Sequence, residues 1–251
     1  MPTANQINRA VRVLCRVAKR YGIADAFFVG GYPRTIAMGR PLTDVHDLDV
    51  ASATPEKATQ LAGFVASDES ASKVETLHRT MAVTMSLHGV EVDFQGAGSH
   101  DEARAYMRSI GVEPTPLSLN IFDRDFTMNS LAIPFGRNEI MDLTGRGVSD
   151  IRHRIVSSVL PPDFLVPSDP LMITRAIRFS LKFGFAIEKK LWKAMKEHRM
   201  SVKKLSPERL AIEAYVLSKY PRSKKTLTLL GLQDLLDDEI IKKGEEESEN
   251  D

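Results

Sequence analysis

Residues 27–50 read FFVGGYPRTIAMGRPLTDVHDLDV, and the fold turns on them. An apolar run over Ala26–Val29 ends in Gly30-Gly31, which reads as a strand followed by a sharp turn. Residues 33–38 look like the first turns of a helix, with Pro33 tolerated at its start and Gly39 able to end it. Residues 46–52 return to a strand-like run that carries Asp47 and Asp49. Side chains two apart on a strand share a face, and Asp is a poor strand former. Two carboxylates on one face repel each other unless a cation sits between them. An oxygen-only cluster suits Mg²⁺ rather than zinc. Taken alone, the pair is more plainly read as two turn aspartates.

The neighbouring residues sharpen the metal reading. Backbone N–H groups at a glycine turn, together with a helix N-terminus, bind phosphate. Arg34 stands on that helix's first turn and can meet a phosphate oxygen. Downstream, Glu91 and Asp93 in GVEVDF also share one strand face. A neighbouring strand could set one of them beside Asp47 and Asp49. Three carboxylates can hold two Mg²⁺ ions for in-line phosphoryl displacement. Spacing alone leaves open which of the two it is, or whether both only line the polar face of a hairpin.

The rest of the chain divides in character. Residues 5–21 read as an amphipathic helix with Ile7, Val11, Leu14, Ala18 and Tyr21 at helical spacing. A helix is expected over 55–66, a hairpin over 81–94 around His88-Gly89, and a helix over 101–110. A loop follows Pro114 and Pro116. DRDFTMNSLAI (123–133) reads as a turn leading into a helix, and 132–142 as a small hairpin around Gly136. From about residue 148, IRHRIVSSVL, PLMITRAIRFSLKFG, EKKLWKAMKEHR, SPERLAIEAYVLSKY and KKTLTLLGLQDLL are candidate helices. The expected layout is an α+β head over 1–147, an all-helical domain over 148–244 and a disordered acidic tail over 245–251.

Composition narrows the function classes. Apolar residues make up 43% of the 251, enough for a core of ordinary size. The single Cys15 excludes an intrachain disulfide framework and a cysteine-based zinc site. No apolar run approaches a membrane span, and the N-terminus lacks the core of a signal peptide. A cytoplasmic protein without membrane partners is therefore expected. The net charge of +1 hides a basic stretch, residues 189–225, with twelve Lys or Arg against three Glu. Lys203, Lys204, Lys224 and Lys225 belong to it. It suggests a polyanionic partner, although a solvated helical surface explains it equally well.

Taken together, the 27–50 stretch resembles the head of the class II tRNA nucleotidyltransferase (CCA-adding enzyme) and bacterial poly(A) polymerase family, within the polymerase-β-like superfamily. Further matches follow in order: VDFQGA, DRDFTMNSLAI, MDLTGRGVSDIRHRIV, DPLMITRAIRFSLKFGF and SPERLAIE. The resemblance implies a polymerase-β-like head and a helical neck. It also implies an RNA 3′-terminal nucleotidyltransferase that uses two Mg²⁺ ions to add ATP or CTP units to tRNA or another RNA. It assigns the third carboxylate to Asp93 rather than Glu91. Gly30, Gly31 and Arg34 would hold the triphosphate, and Asp47, Asp49 and Asp93 the metals. Arg124 and Asp125 would meet the ribose, with Asn129 in support. Asp169, Arg175 and Arg178 would lie near base and triphosphate. Arg209 would line the neck side of the cleft, with the basic stretch on RNA.

The departures from the family pattern bear on specificity. Where the family carries a Glu-Asp-x-x-Arg template for the base, this chain has Ser168, Asp169 and Met172. Methionine cannot donate two hydrogen bonds to a base edge, so strict C-then-A selection is in doubt. Thr35, Asp123 and Gly98 also stand where the family prefers other residues. Transfer to a non-RNA acceptor, or a non-catalytic RNA-binding relative, is the alternative.

Overall fold

The computed structural model describes residues 1–69, 72–77, 82–96 and 101–250. The expected strand start at Met81 and the departure at Gly98 lie outside them. The chain divides into two compact units, Met1–Ile151 and Arg152–Asp251, where a division after residue 147 was expected.

In chain order the first unit holds α1 (Ala4–Arg20), β1 (Phe27–Val29), α2 (Gly31–Ala37), β2 (Asp47–Ser52), α3 (Pro55–Glu69), β3 (Ser72–Leu77), β4 (Ala82–Leu87), β5 (Val90–Gly96), α4 (Asp101–Ser109), α5 (Pro116–Phe122) and β6 (Ala132–Pro134). It closes with α6 (Gly147–His153), which crosses the boundary. Among the described residues the six strands form one sheet in the order β3-β4-β5-β2-β1-β6. The β2–β5 pair is parallel and the other pairs are antiparallel. Alternation along β2 and β5 sends Leu48, Val50, Val92 and Phe94 into a core shared with Ala58, Leu61 and Val65 of α3 and Ile7, Leu14 and Val17 of α1. Asp47, Asp49 and Asp93 sit at the intervening positions, and so on the other face. The β4–β5 hairpin turns at His88 (φ 54°) and Gly89 (φ 79°), two successive positive φ values that suit a two-residue hairpin.

Two expectations give way in this unit and a third just past its end. The segment after Pro116 is a helix, not a loop: Thr115 and Ser118 form a reciprocal capping box, with Pro116 at the helix start. The helix expected within DRDFTMNSLAI is one 3₁₀ turn, Thr127–Asn129, and then β6. Pairing with β1, Val29 opposite Ala132 and Phe27 opposite Pro134, outweighs local helical preference there. IRHRIVSSVL stays helical only to His153; Arg154 takes φ 57° and the chain turns into a short strand.

The second unit contains β7 (Ile155–Val156), α7 (Pro162–Ser168), α8 (Leu171–Phe183), β8 (Ala186–Ile187), α9 (Lys189–Glu197), α10 (Pro207–Ser218), α11 (Ser223–Leu230) and α12 (Asp238–Asn250). A two-residue parallel pairing joins β7 and β8, so the unit is not wholly helical. Gly184 ends α8 in the left-handed conformation, φ 68°. The acidic tail expected to be unstructured from residue 245 instead continues α12 to Asn250. Packing explains this. A Cβ at Gly244 would lie 1.9 Å from the Ala211 carbonyl oxygen of α10, so the two helix backbones touch there. Tyr215 Oη also donates to Glu245 at 3.2 Å. Alanine favours a helix over glycine by about 1 kcal/mol, yet Gly244→Ala is expected to cost about 1–3 kcal/mol in urea unfolding through overpacking. A neutral or stabilising result would place α12 away from α10.

Candidate active site

The glycine turn between β1 and α2 has no room for a side chain at Gly30. Gly30 adopts φ 69° and ψ −123°, a conformation other residues avoid. A Cβ there would lie 2.1 Å from Asp49 Oδ2 and 3.0 Å from Arg124 Nη1. One at Gly31 would make ordinary contacts with Arg34 Nη2 at 3.6 Å and Asp47 Oδ1 at 3.7 Å. The turn is thus hemmed by two carboxylates and two guanidinium groups. The Gly31 N–H donates to Asp49.

Strand register supplies the third carboxylate. In the parallel β2–β5 pair Asp49 stands opposite Asp93, and Asp47 opposite Glu91. Adjacent strands are about 4.8 Å apart, so Asp49 and Asp93 are immediate neighbours on one face. Glu91 is exposed at the start of β5, whereas Asp93 is half-buried and accepts a hydrogen bond from Thr84 Oγ1 at 2.5 Å. Thr84 is the cross-strand partner of Asp93 on β4. Burial pushes the Asp49 carboxyl up to about 6, Arg124 pulls it down, and the charges of Asp47 and Asp93 raise it again. Asp93 is also raised, first by burial; the Thr84 hydrogen bond opposes this and Asp47 adds to it.

Among the described residues, no three His, Cys, Asp or Glu side chains stand in a ready-made metal cage. Asp93 leans on Thr84, and Asp49 on the Gly31 N–H and the charge of Arg124. The donor set nonetheless fits a hard divalent cation. It is oxygen-only, and two of its carboxylates, Asp49 and Asp93, have raised pKa values through burial and the charge of neighbouring acids, a cost that a cation would relieve.

A second network braces the turn over residues 124–130. Arg34 Nη1 donates to Asn129 Oδ1. Asn129 Nδ2 donates to Asp125 Oδ1 at 2.8 Å, and the Phe126 N–H donates to the same oxygen at 2.7 Å. Arg124 is held by Asn120 Oδ1 through Nε and Nη2, at 3.3 and 3.2 Å. Thr127 Oγ1 donates to Asp150 Oδ2 at 2.6 Å. Gly147 packs so closely that a Cβ would lie 2.5 Å from the Thr127 carbonyl oxygen. Arg34, Asp125 and Asn129 are therefore linked side by side, and Arg124 stands with the carboxylates. Sequence reading missed Thr84 and Asn120. Both are ordinary residues in the chain, and only register or helix phase puts them at the site.

The second unit's candidates stand in their own surroundings. Asp169 Oδ1 accepts from the Leu171 N–H at 3.1 Å at the start of α8, and its other oxygen lies 3.6 Å from Arg175 Nη1. The Arg178 guanidinium lies 5.2 Å from the Phe179 ring centroid, and its Nε is buried without a hydrogen-bond partner. Arg209, Lys204, Lys224 and Lys225 are exposed. Lys203 is exposed as well, but its charge is shared with Asp234 at 2.8 Å. Met172 is 1% exposed, so an arginine in its place would have to bury a guanidinium.

Two outcomes follow for the cation-free protein. The raised Asp49 pKa means its contribution to stability is fully present below about pH 4 and is lost as pH rises through about 6. At 1.36 kcal/mol per pH unit this is about 3 kcal/mol. Asp49→Asn should therefore be the more stable protein in EDTA at pH 7.5, with the difference closing near pH 4; a variant less stable at both pH values contradicts this electrostatic picture. Gly30→Ala should unfold at least about 2 kcal/mol more easily, from strain and the Asp49 clash together, as read by urea titration.

The description "Poly A polymerase head domain" matches residues 26–157, and "Probable RNA and SrmB- binding site of polymerase A" matches residues 184–237. A CCA-adding enzyme of Staphylococcus saprophyticus is 32% identical over 195 residues, 75% of this chain and 45% of its own length. A tRNA nucleotidyltransferase of Schizosaccharomyces pombe is 30% identical over 191 residues, 74% of this chain and 37% of its own. This chain thus spans about half or less of the length of these curated relatives. Among solved structures, the Bacillus stearothermophilus CCA-adding enzyme in complex with CTP aligns with TM-score 0.70 at 25% identity, over 90% of this chain and 53% of the other. The Thermotoga maritima CCA-adding enzyme complexed with tRNA aligns with TM-score 0.73 at 21% identity, over 92% and 52%, a likeness of fold. With over half of its length matched as such a head, beginning just before the glycine turn, the chain belongs to the poly(A) polymerase head-domain family.

Proposed function

We propose that this chain is an RNA 3′-terminal nucleotidyltransferase, adding nucleotides from ATP or CTP to the 3′ end of tRNA or another RNA. The observation that carries this reading is the Asp49–Asp93 register beside a turn whose Gly30 has no room for a side chain. That arrangement offers anion-binding backbone and cation-binding carboxylates within one small face, as in-line transfer of a nucleotidyl group requires. Relatives named as CCA-adding enzymes and tRNA nucleotidyltransferases support the RNA acceptor.

In this reading Asp47, Asp49 and Asp93 hold two Mg²⁺ ions, which supply charge neutralisation at the attacking hydroxyl and the departing pyrophosphate. The chain's own groups do the rest. The Gly30-Gly31 backbone and Arg34 seat the triphosphate. Arg34, through Asn129, fixes Asp125 for the ribose hydroxyls. Arg124, anchored by Asn120, balances the negative face while the carboxylates are bare. Asp169, Arg175 and Arg178 serve the base and triphosphate, and Arg209 with the exposed lysines meets RNA phosphates. With Met172 buried where the family carries a base-reading arginine, relaxed choice between CTP and ATP is expected. Installing that arginine would test folding before specificity.

The decisive assay offers each of the four NTPs separately with Mg²⁺ to tRNAs ending before or within CCA and to an unstructured RNA, read on a gel. Extension with pyrophosphate release is expected. Asp49→Asn and Asp93→Asn should each lower it at least about 10³-fold with the circular dichroism unchanged, since a ligand of the reacting centre is lost. Label appearing only on protein or small molecules would replace the RNA acceptor; nucleotide binding indifferent to Mg²⁺, without pyrophosphate, would replace catalysis with binding. Because protons compete with cations for Asp49, the rise in melting temperature that Mg²⁺ produces should shrink as pH falls through about 6. A constant rise from pH 5 to pH 8 would remove Asp49 from the metal site.

A further inference from the structure

Helix α1 carries a feature that the active-site reading leaves unused. Its buried side is apolar: Ile7, Ala10, Val13, Leu14, Val17 and Ala18. Its exposed side carries Arg9, Arg12, Arg16, Lys19 and Arg20, and the helix Ala4–Arg20 contains no acid. At 100° per residue Arg9, Arg12, Arg16 and Arg20 fall on one stripe, about 16 Å long at 1.5 Å per residue. Like charges three and four apart oppose helix formation, so the stripe detracts from the stability of α1. The helix forms because its other side is buried and Thr3 and Gln6 close a capping box at its start.

Arg20 meets Asp68 at 3.0 Å. Among the described residues Arg9 and Arg12 have no ion pair. The positive field extends past the helix to the β4–β5 turn, where Gln6 Nε2 donates to the His88 carbonyl at 3.1 Å. The His88 imidazole is held below its ordinary pKa by burial and then by Arg9 and Arg16.

We propose that the arginine stripe of α1 is an RNA-docking surface, gripping the phosphate backbone through Arg9, Arg12 and Arg16 without reading base sequence. The proposal rests on the RNA acceptor argued above. It lies outside residues 26–157 and 184–237, where the family matches fall. Three observations favour RNA over other anionic partners. The cations are chiefly arginines, whose planar forks match phosphate oxygens two at a time. They form a narrow row that suits the repeated charges of one strand. The apolar side of α1 is committed to the core, so the helix has none to insert into a lipid surface.

The test measures binding of the full chain to a fluorescein-labelled tRNA transcript lacking its CCA end, by anisotropy across a KCl series. The wild type is compared with the triple variant Arg9→Ala, Arg12→Ala and Arg16→Ala, which keeps helix propensity. Expected are at least a tenfold loss of affinity at 100 mM KCl and a salt slope shallower by about 2–3, with a melting temperature no lower than wild type and Mg²⁺–ATP binding unchanged. Equal affinity and slope in the two proteins overturn the proposal, as does a wild type that does not bind the transcript. Stripe-dependent binding to anionic vesicles or polyglutamate, with none to RNA, also overturns it. If the transcript binds through the stripe but no nucleotide is ever incorporated, the docking surface stands and the catalytic reading falls.

Discussion

Like charges brought onto one face of a sheet must be forced there by something stronger than their repulsion. In this chain the force is the parallel pairing of β2 with β5, which sets Asp49 opposite Asp93 and Asp47 opposite Glu91. The pairing is held from the other face. Leu48, Val50, Val92 and Phe94 alternate with the acids and are fully buried, each contributing about 1.5–3 kcal/mol. A slip of one residue would turn all four into solvent and the carboxylates into the core. The same hydrophobic alternation that makes the sheet therefore fixes the acidic face. The raised Asp49 pKa, owed first to burial and then to the charges of Asp47 and Asp93, is the trace of the opposing cost.

Around that face the chain supplies rigid supports rather than additional reactive groups. Gly30 lets the β1–α2 turn approach Asp49 more closely than any side chain would permit. The 3₁₀ turn at Thr127–Asn129 is held on one side by Arg34 and on the other by Asp150 and Gly147. Preorganisation of this kind would suit the triphosphate and ribose of the proposed reaction. The acidic face and the arginine stripe of α1 belong to the same compact unit, so one unit carries both the negative charge suited to cations and positive charge suited to a polyanion.

Much of the site was legible in the chain because local rules govern it. The strand, glycine turn and helix at residues 27–37, and the alternating aspartates at 47 and 49, follow from periodicity and turn chemistry over a dozen residues or fewer. The helices α8, α9 and α10 were legible for the same reason. Errors fell where distant partners decide. Ala132–Pro134 is a strand because β1 offers an open edge. Residues 245–250 are helical because Gly244 lets α12 lie against α10. The helix after Pro116 is the exception: its capping residues were visible and local, and the two prolines hid them.

The sequence by itself determined which chemical groups are present and which of them share a strand face, since side-chain alternation is a property of the backbone. It also determined the strand–glycine–helix turn, because glycine alone tolerates the backbone angles required. The family resemblance already favoured Asp93 over Glu91, and the β2–β5 register sets Asp93 opposite Asp49; only the tertiary structure decided that Thr84 and Asn120 brace these groups and that Arg124 stands beside the carboxylates. Those are matters of register and contact between segments far apart in the chain. They are settled by the burial of apolar neighbours on the opposite face, which no short stretch of sequence encodes.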